Sequence, residues 1–403
     1  MLPDPLPLAI FGATYLFLAL GRLPGLAIDR TGFALLGALA FLASGGVTLD
    51  QAKLAVDAPT LALLFAMMLL SAQYQLSGLY GAISRRLARV ERPRLLLGGT
   101  IVVCAALAAV LTNDVVCFAL TPLLAAALAR TRHDPMPYLL AIAVATNLGS
   151  ALTPIGNPQN ILIAQHLGLP FLPFVVFCAA PVLLSLAVAF ALLAHRLREL
   201  PAPTVAAPAA DDLPLDRWQA GKAVALTAGA IVLFLTPFPA YLTAALVAGV
   251  VLTSRRMHTR TMLGLVDWQM LALFVALFVV TRGLELSGWT AAAARALQGA
   301  GVPLGEGSAL VPAVALLGTL VGNVPAVMLL LRFLPADPEV GYALALASTF
   351  AGNAVLVGSI ANLIVVEQAA RAGVRIGFRD HLRVGLPVTL VSLAIAAVAL
   401  ALY

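Results

Sequence analysis

Apolar runs of membrane-crossing length dominate the chain: 6–20, 31–48, 59–79, 138–165, 171–194, 221–237, 239–253, 268–284, 342–369 and 384–402. A helix of ~20 apolar residues spans the hydrocarbon core of a bilayer. With every backbone group satisfied inside each segment, helices are the structure such runs dictate. Only 10% of the 403 residues are charged, against ~25% in soluble domains. The class this defines is an all-α polytopic membrane protein. The residues before the first run lack a basic segment, so that run reads as a retained span rather than a leader.

Two further runs, 95–130 and 308–334, are too long for one span and too short for two. Each breaks at its middle, at "LTND" (111–114) and "VGNVP" (321–325). They read as re-entrant hairpins with tips inside the membrane, where irregular backbone survives only against protein or a water-filled cavity.

Of the 24 Lys and Arg residues, all but Lys53, Arg282, Arg295 and Arg332 fall on one side of this arrangement. That side is the cytoplasm by the positive-inside rule, which places both termini outside, across a plasma membrane of the bacterial inner-membrane type. The same bias accounts for the net charge of +6 without nucleic acid. Cys104, Cys117 and Cys178 sit in apolar runs and read as packing residues, with no metal spacing. "YGAISRRLARVERPR" (80–94) reads as an interfacial amphipathic helix.

The chain also resembles itself. "DAPTLALLFAMMLLSAQYQLSG" (57–78) aligns without a gap on "DWQMLALFVALFVVTRGLELSG" (267–288), a shift of 210 that carries Asn113 onto Asn323. "ATN" (145–147) then matches "AGN" (351–353), and "PVLLSLAVA" (181–189) resembles "PVTLVSLAIA" (387–396). The organisation expected is a first repeat over 1–195, a cytoplasmic linker over 196–220 and a second repeat over 221–403. Five spans per repeat is an odd number, so the second copy is inverted, an architecture that places ligands near the midplane at broken helices.

Four polar breaks follow in two pairs: the tips at Thr112-Asn113-Asp114 and Gly322-Asn323-Val324, and the broken spans from Thr146-Asn147 to Asn160 and from Gly352-Asn353 to Asn362. Half-helix N-termini suit an anion, while freed carbonyls and Asn or Thr oxygens suit a hard cation. Asp114 is the one acid expected at mid-depth, as proton carrier, cation ligand or a structural acid held by tip N–H groups or by an Arg. Glu367 reads equally as a second proton-coupling residue or an interfacial acid. Asp57 and Asp267 read as helix caps. The five histidines fall in or beside loops, which speaks against a histidine relay.

"LTNDVVCFALTPLL" with "ATNLGSALTPIGNPQNILI", then "VGNVPAVMLL" with "AGNAVLVGSIANLIVVEQA", resemble the superfamily of ion transporters. It includes arsenite-pump membrane subunits, sodium/proton antiporters, citrate transporters and divalent-anion symporters. The resemblance implies a scaffold domain, a transport domain that moves as an elevator, and a homodimer through scaffold helices. It implies one cation site at Thr112, Asn113, Asp114, Gly149 and Gly156, and another at Gly322, Asn323 and Gly358. Substrate is implied among Asn113, Asp114, Asn157, Asn160, Asn323 and Asn362. Asp114 stands where the divalent-anion branch has a neutral Thr. An unprotonated acid there repels a dicarboxylate, so the tip looks more like the arsenite-pump side. The expected function is secondary transport of a small anion or metalloid oxyacid coupled to H⁺ or Na⁺, with cation/proton antiport as the alternative. No enzyme chemistry, cofactor, metal or ATP motif is expected; the partners are the ion or small-molecule substrate and the lipid bilayer.

Overall fold

The computed structural model describes residues 3–21, 25–198, 213–300 and 307–403, without the side chains of residues 297–298 and 307–308. The described residues form α-helices and one 3-10 turn, with no strand. The first half runs α1 (Pro5–Leu20), α2 (Arg30–Ala43), α3 (Leu49–Ala55), α4 (Ala58–Leu76), α5 (Leu79–Ala88), α6 (Pro93–Val110), α7 (Asn113–Leu128), α8 (Pro135–Ser150), α9 (Pro158–Leu167) and α10 (Phe171–Ala194). The second runs α11 (Arg217–Phe234), α12 (Ala240–Leu252), α13 (Thr259–Leu263), α14 (Trp268–Leu286), α15 (Trp289–Gly299), α16 (Gly307–Val321), α17 (Asn323–Leu330) and α18 (Pro338–Ala351). It ends with the 3-10 turn (Leu356–Gly358), α19 (Ile360–Arg371) and α20 (Phe378–Leu402).

Among the described residues, five helices (α4, α6, α10, α14 and α20) are each long and apolar enough to cross a membrane alone. α8–α9 and α18–α19 are spans interrupted by the polar breaks. Asp57 and Asp267 cap α4 and α14, accepting the Thr60 and Met270 N–H groups at 3.0 and 2.9 Å.

Contacts between loops sort the helix ends into two groups. At one end, Asp216 N–H donates to Ser77 O (2.9 Å), Asp134 N–H to Arg198 O (3.4 Å), and Arg256 pairs with Asp216 (2.9 Å). At the other, Trp289 Nε1 donates to Asp4 O (2.8 Å), Arg332 pairs with Glu285 (3.2 Å), and Tyr403 packs edge-on against Phe177 and Tyr342. α1 therefore starts at the end where α11 finishes, and the two halves run in opposite directions. α6 is long enough to span, yet its foot is tied to the foot of α7. The His133 ring bonds Val90 O (3.2 Å) and Tyr138 Oη donates to Pro93 O (3.4 Å). The pair leaves and re-enters the same end, as a re-entrant hairpin must.

Packing repeats the inversion. α2 lies on α14 as α12 lies on α4, α6 on α8 as α16 on α18, and α19 on α8 as α9 on α18; α10 and α20 pack on each other. α5 buries Tyr80, Ser84 and Leu87 at helical spacing and exposes Arg85 and Arg86, the expected amphipathic pattern. All three cysteines are free and buried.

Most of the expected linker lies outside the described residues, and α11 begins at Arg217, inside the stretch assigned to it. Its last residues are fixed against the turn after α4. Gly78 has φ +72°, and a Cβ there would lie 2.6 Å from Pro214 O and 2.7 Å from Leu213 O, so only glycine fits. The Gln219 and Trp218 N–H groups and the Arg256 guanidinium hold the Asp216 carboxylate below its usual range.

Candidate functional site

At the first tip, Leu111 and Thr112 are extended and α7 restarts at Asn113, whose N–H donates to Gly156 O (3.2 Å). At the second, Gly322 turns the chain with φ +96° and Asn323 starts α17. Tyr15 Oη donates to Pro325 O (3.0 Å) and Arg30 Nη2 to Val357 O (3.3 Å), so α1 and α2 hold the second tip and second break from outside.

A broken helix leaves carbonyls without partners, and in a membrane each must find a donor. Asparagine supplies it in both halves. Asn160 Nδ2 donates to Ser150 O (3.3 Å) and Thr153 O (3.1 Å). Asn362 Nδ2 donates to Gly352 O (2.8 Å) and Val355 O (3.4 Å). Both reach ten and seven residues back, which sets the register of the two breaks at a shift of 202. The "ATN"/"AGN" match is therefore corrected: Asn147 lies inside α8, whereas Asn353 lies past the end of α18.

Asn147 joins the halves. Its Nδ2 donates to Asn353 Oδ1 (2.9 Å) and Asn362 Oδ1 (3.1 Å), and its Oδ1 accepts from Asn113 Nδ2 (2.9 Å) and Ser359 Oγ (3.2 Å). All four amide positions of this side chain are thus used, at 1% exposure.

Between the tips lies a cavity of about 50 Å³. Asn113, Asp114 and Gln159 line it from the first half, and Asn323, Gly358 and Ser359 from the second. Leu18, Met270 and Phe274 close its apolar side. Arg30 and Asp114 are the charged residues of the lining. Asp114 is buried and has no hydrogen bond among the described residues, so it is not the structural acid that tip N–H groups hold. Around this cavity the balance of donors and acceptors is uneven. Asn113 Oδ1 and Asn323 Oδ1 on the lining, Thr112 Oγ1 next to it in the chain and Asn160 Oδ1 in the first break are buried oxygens without a partner among the described residues. Oxygens of this kind are the ligands a hard cation takes.

The structure divides the expected site residues. Asn113, Asp114, Gly322, Asn323 and Gly358 meet at the cavity, with Thr112 beside them. Asn157, Asn160 and Asn362 do not line it. They are fully buried and tie the breaks. Asn157 Oδ1 caps α9 through Asn160 N–H (2.8 Å) and its Nδ2 bonds Ser150 Oγ (2.9 Å) and Thr349 Oγ1 (3.2 Å). Gly149 and Gly156 serve close approach. A Cβ on Gly149 would lie 2.3 Å from Ala105 Cα, and one on Gly156 2.3 Å from Ser150 O. Glu367 is apart from the cavity, exposed and paired with Arg371 at 2.7 Å. Residues the sequence left without a role include Arg30, Gln159, Ser359 and His381. His381 opens α20 close to a loop but is 1% exposed, with Nε2 2.9 Å from Asn353 O and 3.5 Å from Asn362 Nδ2. A histidine beside a loop is thus carried into the interior here, as a single residue and not as part of a relay.

Paired hairpin tips meeting paired broken helices around a small polar cavity define a membrane transporter. The comparisons agree. A family model described as "Citrate transporter" matches residues 15–342, and the chain belongs to that family. It is 29% identical to "Silicon efflux transporter LSI3" of Oryza sativa subsp. japonica, over 96% of this chain and 95% of that one. It is 32% identical to "Inner membrane protein YbiR" of Escherichia coli, over 81% and 84%. A shorter match, 37% of this chain at 32% identity, is to "Putative transporter arsB" of Dictyostelium discoideum. Among solved structures the YdaH transporter of Alcanivorax borkumensis is similar in fold, with TM-score 0.56 and 16% identity over 98% of this chain and 96% of that one.

Proposed function

We propose that the chain is a secondary active transporter that moves a small anion or metalloid oxyacid across a bacterial inner membrane, coupled to H⁺ or Na⁺. The observation that carries this reading is the cavity between the tips, lined by Asp114, by Asn113 and Asn323 with their unpartnered Oδ1 atoms, and by Arg30 and Gln159, whose side chains have N–H groups to spare. One group of atoms takes a proton or hard cation, and the other takes oxyacid oxygens.

Size favours a compact substrate. A cavity of about 50 Å³ accommodates roughly four water-sized groups at ~10–15 Å³ each. A metalloid hydroxyacid has three or four hydroxyls; a tricarboxylate is several times larger. Relatives named for silicon efflux and for arsB support the same choice.

In this reading residues 1–195 and 221–403 are inverted repeats joined by a linker at 196–220. The tips and breaks move as an elevator against α1–α4 and α11–α14, and Asp114 alternates between protonated and ion-bound states. The basic-residue bias places both termini outside. A homodimer is assigned to the scaffold helices, whose outer faces carry exposed apolar residues such as Leu39 and Leu246.

The test is a proteoliposome loaded with a pH dye and challenged with arsenite, silicic acid, citrate, succinate or Na⁺. Arsenite or silicic acid is expected to move protons, and Asp114→Asn to abolish the flux. A response to Na⁺ alone makes the chain a cation/proton antiporter instead. No response to any compound, with Asp114→Asn behaving as the parent, removes the reading.

A further inference from the structure

A second cavity, of about 400 Å³, lies on α9, α14 and α17, the helices that also line the first. On each helix the two linings are separated by a single turn. α9 gives Gln159 to the first cavity and Leu162 to the second; α14 gives Phe274 and then Phe278; α17 gives Pro325 and then Met328. Three or four residues at 1.5 Å rise make a septum of about 5–6 Å. Beyond it the second cavity reaches the helix ends marked by Glu285 and Arg332, away from Arg30.

Its polar lining is distinctive. Arg282 and Arg332 are two of only four basic residues on the sparsely charged side, and both line this cavity. Both guanidiniums bind one carboxylate oxygen, Glu285 Oε2, at 2.9 and 3.2 Å. One carboxylate oxygen cannot occupy the ten N–H groups of two guanidiniums, so donors remain for a ligand. His166 and Thr281 add further polar groups. Asp57 also lines the cavity, but its Oδ1 is engaged in capping α4.

We infer that this cavity is an oxyanion-binding vestibule, the opposite mouth of the path that ends at the tips. Arg282 and Arg332 hold the oxyanion there through charge-assisted, fork-shaped hydrogen bonds. Leu162, Phe278 and Met328 form the seal that separates it from the first cavity. The inference rests on the transporter reading and adds a second binding site to it.

The test uses inorganic phosphate as probe. Val56 lines the vestibule and is half-buried, whereas the native cysteines are buried. In detergent, N-ethylmaleimide labels Val56→Cys, and phosphate is expected to slow that labelling while chloride at equal ionic strength does not. Added Arg332→Gln or Arg282→Gln is expected to raise the half-protecting phosphate concentration about tenfold, the cost of one charge-assisted hydrogen bond. Arg332→Lys keeps part of the protection. Equal effects of phosphate and chloride overturn the vestibule even if the Gln variants fail to fold. Protection unchanged in folded Gln variants also overturns it. No phosphate protection in the parent Val56→Cys protein, with intact oxyacid transport, removes the vestibule alone; protection without any oxyacid transport removes the transporter reading and leaves the binding site.

Discussion

Asn157 and Ser359 occupy the same place in the two halves, the residue before each restarted helix. Asn157 caps its own helix and ties its own break to Ser150. Ser359 makes no cap bond and instead donates to Asn147, across the molecule. The same contrast holds at the tips. Asn113 Nδ2 and its backbone N–H are both bonded, whereas the Asn323 side chain makes no hydrogen bond among the described residues and Gly322 turns the chain at positive φ. The first half bonds its own break through Asn157 and Asn160, adds bonds from Asn157 and Gln159 to Thr349 of the second half, and carries the acid. The second closes its break through Asn362 and His381 and is also held from the first half, by Asn147, Arg30 and Tyr15. The two repeats therefore differ: the first, the more rigid half, bonds its break chiefly to itself, and the second is held in part from outside.

The strongest way to break this comparison is Asn147→Asp. The variant replaces a donor by a carboxylate oxygen facing Asn353 Oδ1 and Asn362 Oδ1. A loss of ~3 kcal/mol or more is expected, because buried acceptors lose their donor and an unpaired charge is left behind. Thermal unfolding in detergent measures it; a cost below that of Asn157→Ala would mean that Asn147 does not join the halves.

The next effect separates two glycines. Gly149→Ala places Cβ against the backbone of Ala105, which cannot yield, at an expected cost of ~1–3 kcal/mol. Gly358→Ala meets Gly352 O at 3.2 Å and is expected to cost under ~1 kcal/mol. Equal melting temperatures for the two variants contradict the rigid-half assignment.

The smallest effect compares the two caps directly. Asn157→Ala is expected to cost ~1 kcal/mol or more, and Ser359→Ala ~0.5 kcal/mol, since Asn147 Oδ1 keeps its bond from Asn113. Urea midpoints in the reverse order would show that the second break, not the first, closes on itself.

Much of the fold was legible. Run lengths located the helices, and the gapless shift of 210 located both tips, because the apolar pattern that a bilayer demands is linear in sequence. The breaks were located but their register was not: an Asn inside a helix and an Asn beyond its end read alike until the carbonyls they serve are visible. The same holds for Asn157, Asn160 and Asn362, which the resemblance places at the substrate and the structure bonds to the breaks. Sequence tells that an amide sits at a break, but not whether it turns back to the freed carbonyls or forward to the cavity. Arg30 and His381 were hidden differently. Each stands among loop charges, and only the folding of α2 and α20 onto the second break carries them inward.

The one-turn septum also governs how the protein feels the membrane voltage. Potential falls mainly across low-dielectric material, so in the vestibule reading, where water enters the two cavities from opposite sides, it concentrates within those 5–6 Å rather than across the ~30 Å core. A unit charge that passes Phe274 and Phe278 traverses most of the field and exchanges ~2.3 kcal/mol per 100 mV with it. A displacement of a few ångströms is then enough for an electrogenic cycle, and the voltage dependence of turnover reports which charges cross that layer.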